Sequence, residues 1–333
     1  RLLAKAMRDQ GGILDEADLR AYRPLRREPI RGRYRGHEVI ACPPPSSGGQ
    51  VILTALGLLE RFDLQALGRT SPGVAHLVSE ATRRAFHERA QFLGDPERNP
   101  DQPLAWLLDP ARLQRLALGI HPSRASRSDL GRGVLPAEGE HTTHLSVVDR
   151  AGRAVSLTYT IEDNYGLKRV VPGAGFLLNN EMGDFNAGPG LTDTTGLIGT
   201  APNLAGPGKR MLSSMCPVVL RKEGALRLVT GSPGGRTIPS TTLWTVLGVV
   251  DFGLDAQAAV DAPRTHHGWF PDTVLVEKGR WPEGVAAALQ GYGHALQERP
   301  RIGVAQVIRV RPDGRLEGGA DTLRWGESAA VEE

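Results

Sequence analysis

Two threonines between two histidines stand out in the stretch GEHTTHLSVVD, residues 139–149. Apolar and polar residues alternate from Thr143 onward, which predicts a β-strand. Residues 149–153 follow as a turn, with Gly152 suited to the left-handed position of a short hairpin loop. The stretch therefore predicts a hairpin whose first strand begins with hydroxyl groups.

The second strand of this hairpin is predicted over residues 154–161, with small polar side chains on one face. If positions 149 and 153 pair, Thr142 lies opposite Thr160, or within one residue of it if the turn contains a bulge. Two hydroxyl groups then meet at the open end of the hairpin. A strand face of Ser and Thr is unusual unless something there needs hydroxyls.

Three further motifs are candidates for binding. The GSPGG run at 231–235 follows a predicted strand and precedes a predicted helix, so its N–H groups can form a nest for negative charge. NNEMGDF, residues 179–185, is either a buried turn network or a ligand clamp. KRMLSSM, residues 209–215, combines two cations with two hydroxyls and fits a carboxylate. None of these motifs decides the function alone.

Metal and cofactor motifs are weaker. His141 and His144 are three residues apart on a strand and point to opposite faces, so a zinc pair is disfavoured. His266 and His267 also diverge on an extended chain, which favours structural roles. The SSGG run at 46–49 is better interpreted as a helix-entry turn than as an anion site. We therefore expect neither a metal nor a cofactor.

Composition excludes several classes of protein. The 333 residues are 40% hydrophobic and 23% charged, which is typical of a globular protein with a substantial core. The net charge of +3 implies neither a nucleic-acid partner nor a membrane surface, and the basic run at 23–35 resembles a solvated strand and loop. Only two cysteines occur, which excludes a disulfide framework. No apolar run reaches the length of about 18 residues that a membrane span needs.

Residues 1–135 are mostly helical by pattern, with an apolar helix at 50–62 and another that begins at Ser71-Pro72. The chain starts without Met, and we expect it to begin partway through a helix. Residues 123–141 read as an exposed loop or linker. Hairpins, long Gly-rich loops and a few helices follow, with a strand at 226–230, a helix from about 239 to 250 and a hairpin near 312–314. One layered α/β unit is the expected architecture.

Together these motifs resemble the gamma-glutamyltransferase (gamma-glutamyltranspeptidase) family. EHTTHLSVVD, LTYTIE, GFLLNNEMGDF, PGKRMLSSM, VTGSPGG and VDAPRTHH occur in that family's order and spacing, and GGILDEADLRAY, YRGHEVIACPPPSSGG and FLGDPE fit upstream. The resemblance implies an α/β fold, the four-layer αββα sandwich of N-terminal nucleophile hydrolases. It further implies that the chain lacks the N-terminal part of the large subunit. Residues 1–141 would be the C-terminal part of that subunit, ending in a flexible segment, and 142–333 the small catalytic subunit.

The resemblance also assigns roles to individual residues. The precursor would cleave itself between His141 and Thr142, and the freed Thr142 would be the nucleophile. Its own α-amine, with a pKa of roughly 7.7 to 8, would take the hydroxyl proton. The remaining assignments are Thr160 as the hydrogen-bonding partner of the nucleophile, Gly234 and Gly235 as the oxyanion hole, Glu181 and Asp184 for the α-amine of a γ-glutamyl donor, and Ser213 and Ser214 for its α-carboxylate.

The sequence departs from the family pattern at Glu162, where many members have Asn that contacts the same end of the donor. A carboxylate there can bind an amine but repels a carboxylate, so the donor preference stays open. The family's arginine for the donor carboxylate belongs to a segment that precedes this sequence, and no position here matches it. The lid loop, residues 185–209, has the family length.

The expected activity is attack on γ-glutamyl amides such as glutathione, with transfer of the glutamyl group to water or to an amino acid or peptide. One alternative keeps the machinery with another acyl group, as in a cephalosporin or glutaryl acylase or a poly-γ-glutamate processing enzyme. Another is an inactive, unprocessed homologue. The partners would be these small molecules and the two subunits of one precursor, and the resemblance implies a periplasmic or extracellular location.

Overall fold

The computed structural model describes residues 1–128, 142–191 and 193–324. The α-helices are α1 Leu2–Asp9, α2 Glu16–Ala21, α3 Gly48–Leu59, α4 Leu64–Leu67, α5 Pro72–Phe92, α6 Leu104–Leu107, α7 Pro110–Ala117, α8 Ile238–Val250, α9 Ala256–Asp261 and α10 Val285–Gly291. The strands are β1 Ile30–Tyr34, β2 His37–Ala41, β3 Thr142–Val148, β4 Ala154–Thr160, β5 Val218–Lys222, β6 Ala225–Gly231, β7 Thr265–His266, β8 Val274–Glu277, β9 Leu296–Arg299, β10 Gln306–Val310 and β11 Leu316–Ala320.

A six-stranded antiparallel sheet, in the order β1-β2-β5-β6-β10-β11, organises the molecule. Its strands come from both sides of residue 142, because β2 pairs directly with β5 through Ala41 and Val218. The strands β7, β8 and β9 form a smaller sheet. Both ends of the chain therefore contribute to one layered α/β unit, as the sequence predicts.

Helices α3 and α8 cover one face of the large sheet. Their sequences are apolar on nearly every side, and almost all of their residues are buried. Leu56 and Trp244 join Leu220 and Leu228 of the sheet in the largest hydrophobic core. Burial of that apolar surface, worth about 25 cal/mol per Å², holds the two helices against the strands.

The opposite face of the sheet carries the β3–β4 hairpin. Side chains alternate along a strand, so the side chain of Leu228 in β6 points into the helix layer, while a Cβ atom at Gly231 would lie on the opposite face. A Cβ atom at Gly231 would overlap the imidazole of His144. Ser156 also donates a hydrogen bond to the carbonyl of Thr230 at 3.0 Å. The hairpin thus crosses the end of β6.

Several predicted elements are confirmed. Helix α5 begins with Ser71 as its N-cap, whose hydroxyl accepts a hydrogen bond from Val74 N at 3.2 Å. The predicted helices at 50–62 and 239–250 correspond to α3 and α8, and the tail hairpin to β10–β11. Residues 1–135, predicted to be mostly helical, also contain the β1–β2 hairpin. The basic run that includes β1 lies at the surface, where Arg31 bonds Glu38. Within the described residues, no helix is both long and apolar enough for a membrane span.

Candidate active site

The β3–β4 hairpin has the predicted register, with Thr142 directly opposite Thr160. Asp149 N donates to the carbonyl of Arg153 at 3.0 Å, and Gly152 takes the left-handed turn position with φ of 76°. No bulge interrupts the pairing from Thr142 to Val148. His141, the other half of the predicted cleavage site, lies outside the described residues.

The polar face of the hairpin points inward, toward the sheet. His144 is buried, and its ring nitrogens lie 2.8 Å from Thr158 Oγ1 and 3.2 Å from Ser146 Oγ. Burial lowers the pKa of His144 to about 4, so the ring is neutral at physiological pH. The outward face is apolar and exposed, with Leu145, Val147, Val155, Leu157 and Tyr159 each at least 41% accessible. The hydroxyl groups therefore lie where the hairpin meets β6.

The GSPGG loop follows β6 and leads into a 3₁₀ turn, Gly235–Thr237, and then α8. This is the predicted strand–loop–helix arrangement. Gly234 and Gly235 have φ values of 133° and 53°, which residues with a side chain rarely adopt. A Cβ at Gly234 would meet Thr237 Oγ1 at 2.8 Å and Gly303 Cα at 2.9 Å. Position 234 therefore requires glycine both for its conformation and for space.

Two acidic segments meet beyond the end of β4. Glu162 is only 7% exposed and has φ of 73°, and its N–H donates to Thr160 Oγ1 at 2.8 Å. Its carboxylate lies against the 3₁₀ turn Glu181–Asp184, because a Cβ at Gly183 would approach Glu162 Oε1 to 2.6 Å. Asp184, on that turn, is 8% exposed. Glu162 thus connects the acidic turn to Thr160, because its N–H bonds Thr160 and its carboxylate lies against Gly183.

Asn180 connects the same two segments. Its side chain accepts from Asp163 N at 3.0 Å and donates to Asp163 Oδ2 at 3.1 Å, while Asn180 N donates to the carbonyl of Ile161. Asn203 Nδ2 donates to the carbonyl of Asp184 at 2.7 Å. The NNEMGDF motif therefore contains the turn network that was one of its two predicted interpretations. This network fixes the position of the acidic side chains.

Ser213 is held by the turn that enters α3. Ser213 Oγ donates to Ser46 Oγ at 3.0 Å, and Ser47 donates through both N–H and Oγ to the carbonyl of Ser213, at 2.8 and 2.6 Å. Ser47 is the N-cap position of α3, so the helix-entry interpretation of SSGG is confirmed. A Cβ at Gly48 would overlap the Met215 carbonyl, which explains why glycine follows.

The cations of the KRMLSSM motif do not join the two serines. Lys209 Nζ donates to the carbonyl of Ala201 at 3.4 Å, and Arg210 bonds the carbonyl of Arg23 at 2.8 Å. The predicted combination of cations and hydroxyls in that motif is therefore wrong. The cation beside the serines is Arg89 of α5, whose Nη2 lies 3.2 Å from Ser214 Oγ.

Arg89 was missed by sequence reasoning, although the sequence contains a signal for it. The predicted apolar face of α5 includes Val78, Ala81 and Ala85, and Arg89 continues that stripe four residues later. The residue is 1% exposed, in agreement with its place on the stripe. An arginine in line with a buried helix face indicates an internal polar site.

Other histidines have structural roles. His266 bonds Ser240 Oγ at 2.8 Å, and His267 Nε2 lies 3.1 Å from Asp272, so the adjacent rings diverge as predicted. Each ring is therefore bonded to a different partner. They leave the pair unsuited to a shared metal ion.

His76, Glu80 and His294 form a buried cluster with metal-binding residue types. His76 Nε2 donates to the carbonyl of His121, and its Nδ1 lies 2.7 Å from His294 Nε2, which is closer than two ligands of one ion. Burial opposes ionisation of Glu80, but Arg83 and further hydrogen bonds hold its pKa at about 2. The Glu80 carboxylate is thus paired with arginine and is not free to bind a metal ion.

Known proteins are similar to this chain in both sequence and fold. Residues 1–331 match the family described as Gamma-glutamyltranspeptidase. The glutathione hydrolase proenzyme of Escherichia coli K12 is 41% identical over 321 residues, covering 96% of this chain and 55% of that protein. The acylase ACY 1 proenzyme of Pseudomonas sp. V22 is 38% identical over 334 residues, covering 99% and 57% respectively. The crystal structure of cephalosporin acylase from Bacillus halodurans superposes with a TM-score of 0.81 and 28% identity, over 100% of this chain and 58% of that one.

These matches cover a little more than half the length of each of those proteins. They confirm the predicted α/β sandwich of the N-terminal nucleophile hydrolases. The family match extends over almost every residue, including the hairpin, the acidic turn, the serine pair and the GSPGG loop. This chain belongs to the gamma-glutamyltranspeptidase family.

Proposed function

We propose that this protein is a self-processing γ-glutamyl acyltransferase or hydrolase that uses Thr142 as its nucleophile. The observation that carries the proposal is the pairing of Thr142 with Thr160 at the first position of β3. Cleavage of the His141–Thr142 bond would leave the nucleophile as the first residue of a small subunit, 142–333. Residues 1–141 would then belong to the large subunit.

The chemistry follows from the new amino terminus. In the precursor, Thr142 Oγ1 attacks the carbonyl carbon of His141, the acyl group moves from nitrogen to oxygen, and water hydrolyses the ester. The freed α-amine has a pKa of roughly 7.7 to 8, so much of it is neutral near pH 7.5 and accepts the hydroxyl proton. Thr142 then attacks the γ-carbonyl of a donor, and the donor's amine leaves with a proton. Water or an amino acid or peptide finally takes the glutamyl group from the threonine ester.

The surrounding residues have separate roles in this reaction. Thr160 orients the nucleophile through its hydroxyl, which already accepts from Glu162 N at 2.8 Å. The N–H groups of Gly234 and Gly235 donate to the oxyanion, an interaction whose loss typically slows catalysis about a hundred- to a thousand-fold. Each of these contacts becomes strongest in the tetrahedral intermediate, where the charge develops.

The donor is recognised by its amino-acid end. Glu181 and Asp184 pair with the α-ammonium, and Ser213 and Ser214 donate to the α-carboxylate. This assignment is supported by the burial of Asp184 and Ser214, at 8% and 4% exposure, since a buried charge-assisted hydrogen bond is stronger than an exposed one. Glutathione, a γ-glutamyl tripeptide, is the model donor.

One purified preparation tests the proposal. Intact-mass measurement should give two chains, and the smaller one should begin Thr-Thr-His-Leu-Ser on Edman sequencing. The same preparation should hydrolyse γ-glutamyl-p-nitroanilide. A single intact chain with full activity, or a small chain that begins at Thr143, contradicts the mechanism, and a single chain without activity supports an unprocessed homologue.

A second candidate is an acylase with the same nucleophile and a different acyl group. Glu162 bears directly on the choice of acyl group, because this buried carboxylate lies against the acidic turn where the donor would bind. The similarity to two acylases, acylase ACY 1 and cephalosporin acylase, favours this candidate. Comparing γ-glutamyl-p-nitroanilide with glutaryl-p-nitroanilide separates the two candidates, since only the γ-glutamyl donor carries an α-ammonium. Faster turnover of the glutaryl amide identifies the acylase.

The proposed location is periplasmic or extracellular, and it is based on the family resemblance alone. A periplasmic or extracellular enzyme would meet glutathione outside the cytoplasm. Fractionation of cells that produce the protein, followed by the nitroanilide assay on each fraction, tests this part of the proposal.

A further inference from the structure

Arg89 lies in the last turn of α5, where its side chain is almost completely buried. A guanidinium group loses much of its hydration in such a place, so its neighbours must supply hydrogen bonds. Part of that environment is aromatic, because the guanidinium carbon lies 5.9 Å from the centre of the Phe86 ring. Hydroxyl groups of two serines lie within hydrogen-bonding distance of the guanidinium.

Two serines from different loops receive hydrogen bonds from this guanidinium. Nε donates to Ser47 Oγ at 2.7 Å, and Nη2 donates to Ser214 Oγ at 3.2 Å. Ser47 passes the connection on, because its hydroxyl donates to the carbonyl of Ser213 at 2.6 Å. The planar fork of Arg89 therefore links both members of the serine pair, a geometry that the single ammonium of lysine cannot reproduce.

This geometry determines the direction of the Ser214 hydroxyl. An oxygen that accepts from a guanidinium uses a lone pair on that side, so its own hydrogen points away from Arg89. The hydroxyl is thereby oriented as a donor. The positive charge behind it also favours an anionic acceptor, since electrostatic interactions are weakly screened at a buried site.

We propose that Arg89 is a positioning residue that selects donors with an α-carboxylate by orienting and polarising Ser214. The inference rests on the proposed function, in which Ser213 and Ser214 bind that carboxylate. Arg89 acts through the serine hydroxyl and touches no reacting atom. Its effect therefore falls on the Michaelis constant for donors that carry the carboxylate.

The test compares two donors that differ in one group, γ-glutamyl-p-nitroanilide and its α-carboxamide analogue. In the full chain, wild-type protein should prefer the carboxylate donor in kcat/KM. Arg89→Met should reduce this preference by roughly ten- to a hundred-fold, the range expected for one hydrogen bond to a charged group. The change should appear in KM, while kcat and the turnover of the carboxamide donor stay close to wild type.

Arg112→Met is the matched control. Arg112 is another largely buried arginine nearby, which bonds Glu88 and lies 3.8 Å from the centre of the Trp106 ring. Its loss should destabilise the protein without changing the ratio between the two donors. A reduced ratio in this variant as well would mean that lost packing explains the effect, and the inference would fall.

Arg89→Lys decides the case if Arg89→Met does not fold. Lysine keeps the charge and loses the fork, so the preference should fall to an intermediate value. In a Ser214→Ala background the same substitution should cause little further loss, because the two residues act as one unit. Additive losses would overturn the inference.

The two proposals fail in different ways. If the wild type cleaves neither donor, the proposed function is wrong and the inference falls with it. If the wild type cleaves both donors equally well, the proposed activity stands, but the serine pair does not select the α-carboxylate and the inference falls. If the wild type prefers the carboxylate donor and Arg89→Met keeps that preference in full, only the role of Arg89 is wrong.

Discussion

Thr142 and Thr160 face each other across the hairpin at the point where β3 begins and β4 ends. The N–H of Glu162 donates to Thr160 Oγ1, so the hydroxyl of Thr160 is already oriented by the following residues. Thr160 and Glu162 thereby connect the proposed nucleophile to the acidic turn.

The first prediction concerns processing. Thr142→Ala should remain a single chain and lose turnover, because both steps need the same hydroxyl. Thr142→Ser should process and retain some activity, since it keeps a hydroxyl on the same backbone position. Denaturing gel electrophoresis and the γ-glutamyl-p-nitroanilide assay measure the two effects.

Thr143→Ala is the matched control for processing. Thr143 pairs with Tyr159 and lies on the opposite face of β3 from Thr142. The variant should cleave and turn over like the wild type. A cleavage defect as large as that of Thr142→Ala would argue that the strand start matters more than the hydroxyl.

The second prediction concerns the donor's amine. Asp184→Ala should raise KM for γ-glutamyl donors roughly ten- to a hundred-fold, because one buried hydrogen bond to a charged group is lost. The midpoint of thermal unfolding should stay close to the wild-type value. Asp193→Ala removes an exposed carboxylate of the lid loop that bonds Thr195, and it should leave KM unchanged. Normal donor binding by a cleaved Asp184→Ala protein would refute the assignment.

The third prediction concerns the GSPGG loop. In Gly234→Ala the new Cβ atom would be less than 3 Å from Gly303 Cα, so the loop must move. We expect kcat to fall by about a hundred-fold or more, because oxyanion donors act only at the correct distance. Gly293→Ala imposes a positive φ of 100° on alanine where the nearest group, Ala125 Cβ, is 3.8 Å away, and it should leave kcat unchanged. Equal losses in the two variants would mean that backbone strain alone is responsible.

The fourth prediction is a pH dependence of stability. Burial lowers the pKa of His144 from 6.5 to about 4 in the folded protein, so the unfolded chain binds the proton more tightly. His144 therefore makes the free energy of unfolding decrease as the pH falls from 6.5 to 4, by up to about 1.4 kcal/mol per pH unit. His144→Gln should remove that share of the slope in urea titrations at several pH values.

Thr158→Val serves as the control for this slope. It removes the 2.8 Å hydrogen-bonding partner of the ring and keeps the titrating group. The variant should be less stable at every pH but should retain the dependence. An unchanged slope in His144→Gln would show that other groups account for the acid sensitivity.

The hairpin could be predicted from the sequence because its information is local. Strand alternation and a turn with Gly152 are enough to set the register from Thr142 to Thr160. The same pattern does not reveal which face is buried. Polar residues face the sheet here, since His144 and Ser156 pack on β6, and the apolar side is exposed.

Contacts between distant segments were beyond local patterns. The hydrogen bond from Arg89 to Ser214 spans 125 positions, and the Ser47–Ser213 bond spans 166. No periodicity relates such positions, so the sequence pattern groups the serine pair with its chain neighbours Lys209 and Arg210 instead of with Arg89. The pairing of β2 with β5 was missed for the same reason.

That strand pairing has a consequence for the proposed cleavage at His141–Thr142. β2 precedes the junction at residue 142 and β5 follows it, yet Ala41 and Val218 are neighbours in one hydrogen-bonded sheet with a common hydrophobic core. Breaking the peptide bond would therefore create two polypeptides that stay associated in one folded molecule. They should elute together in gel filtration and separate only under conditions that unfold the sheet.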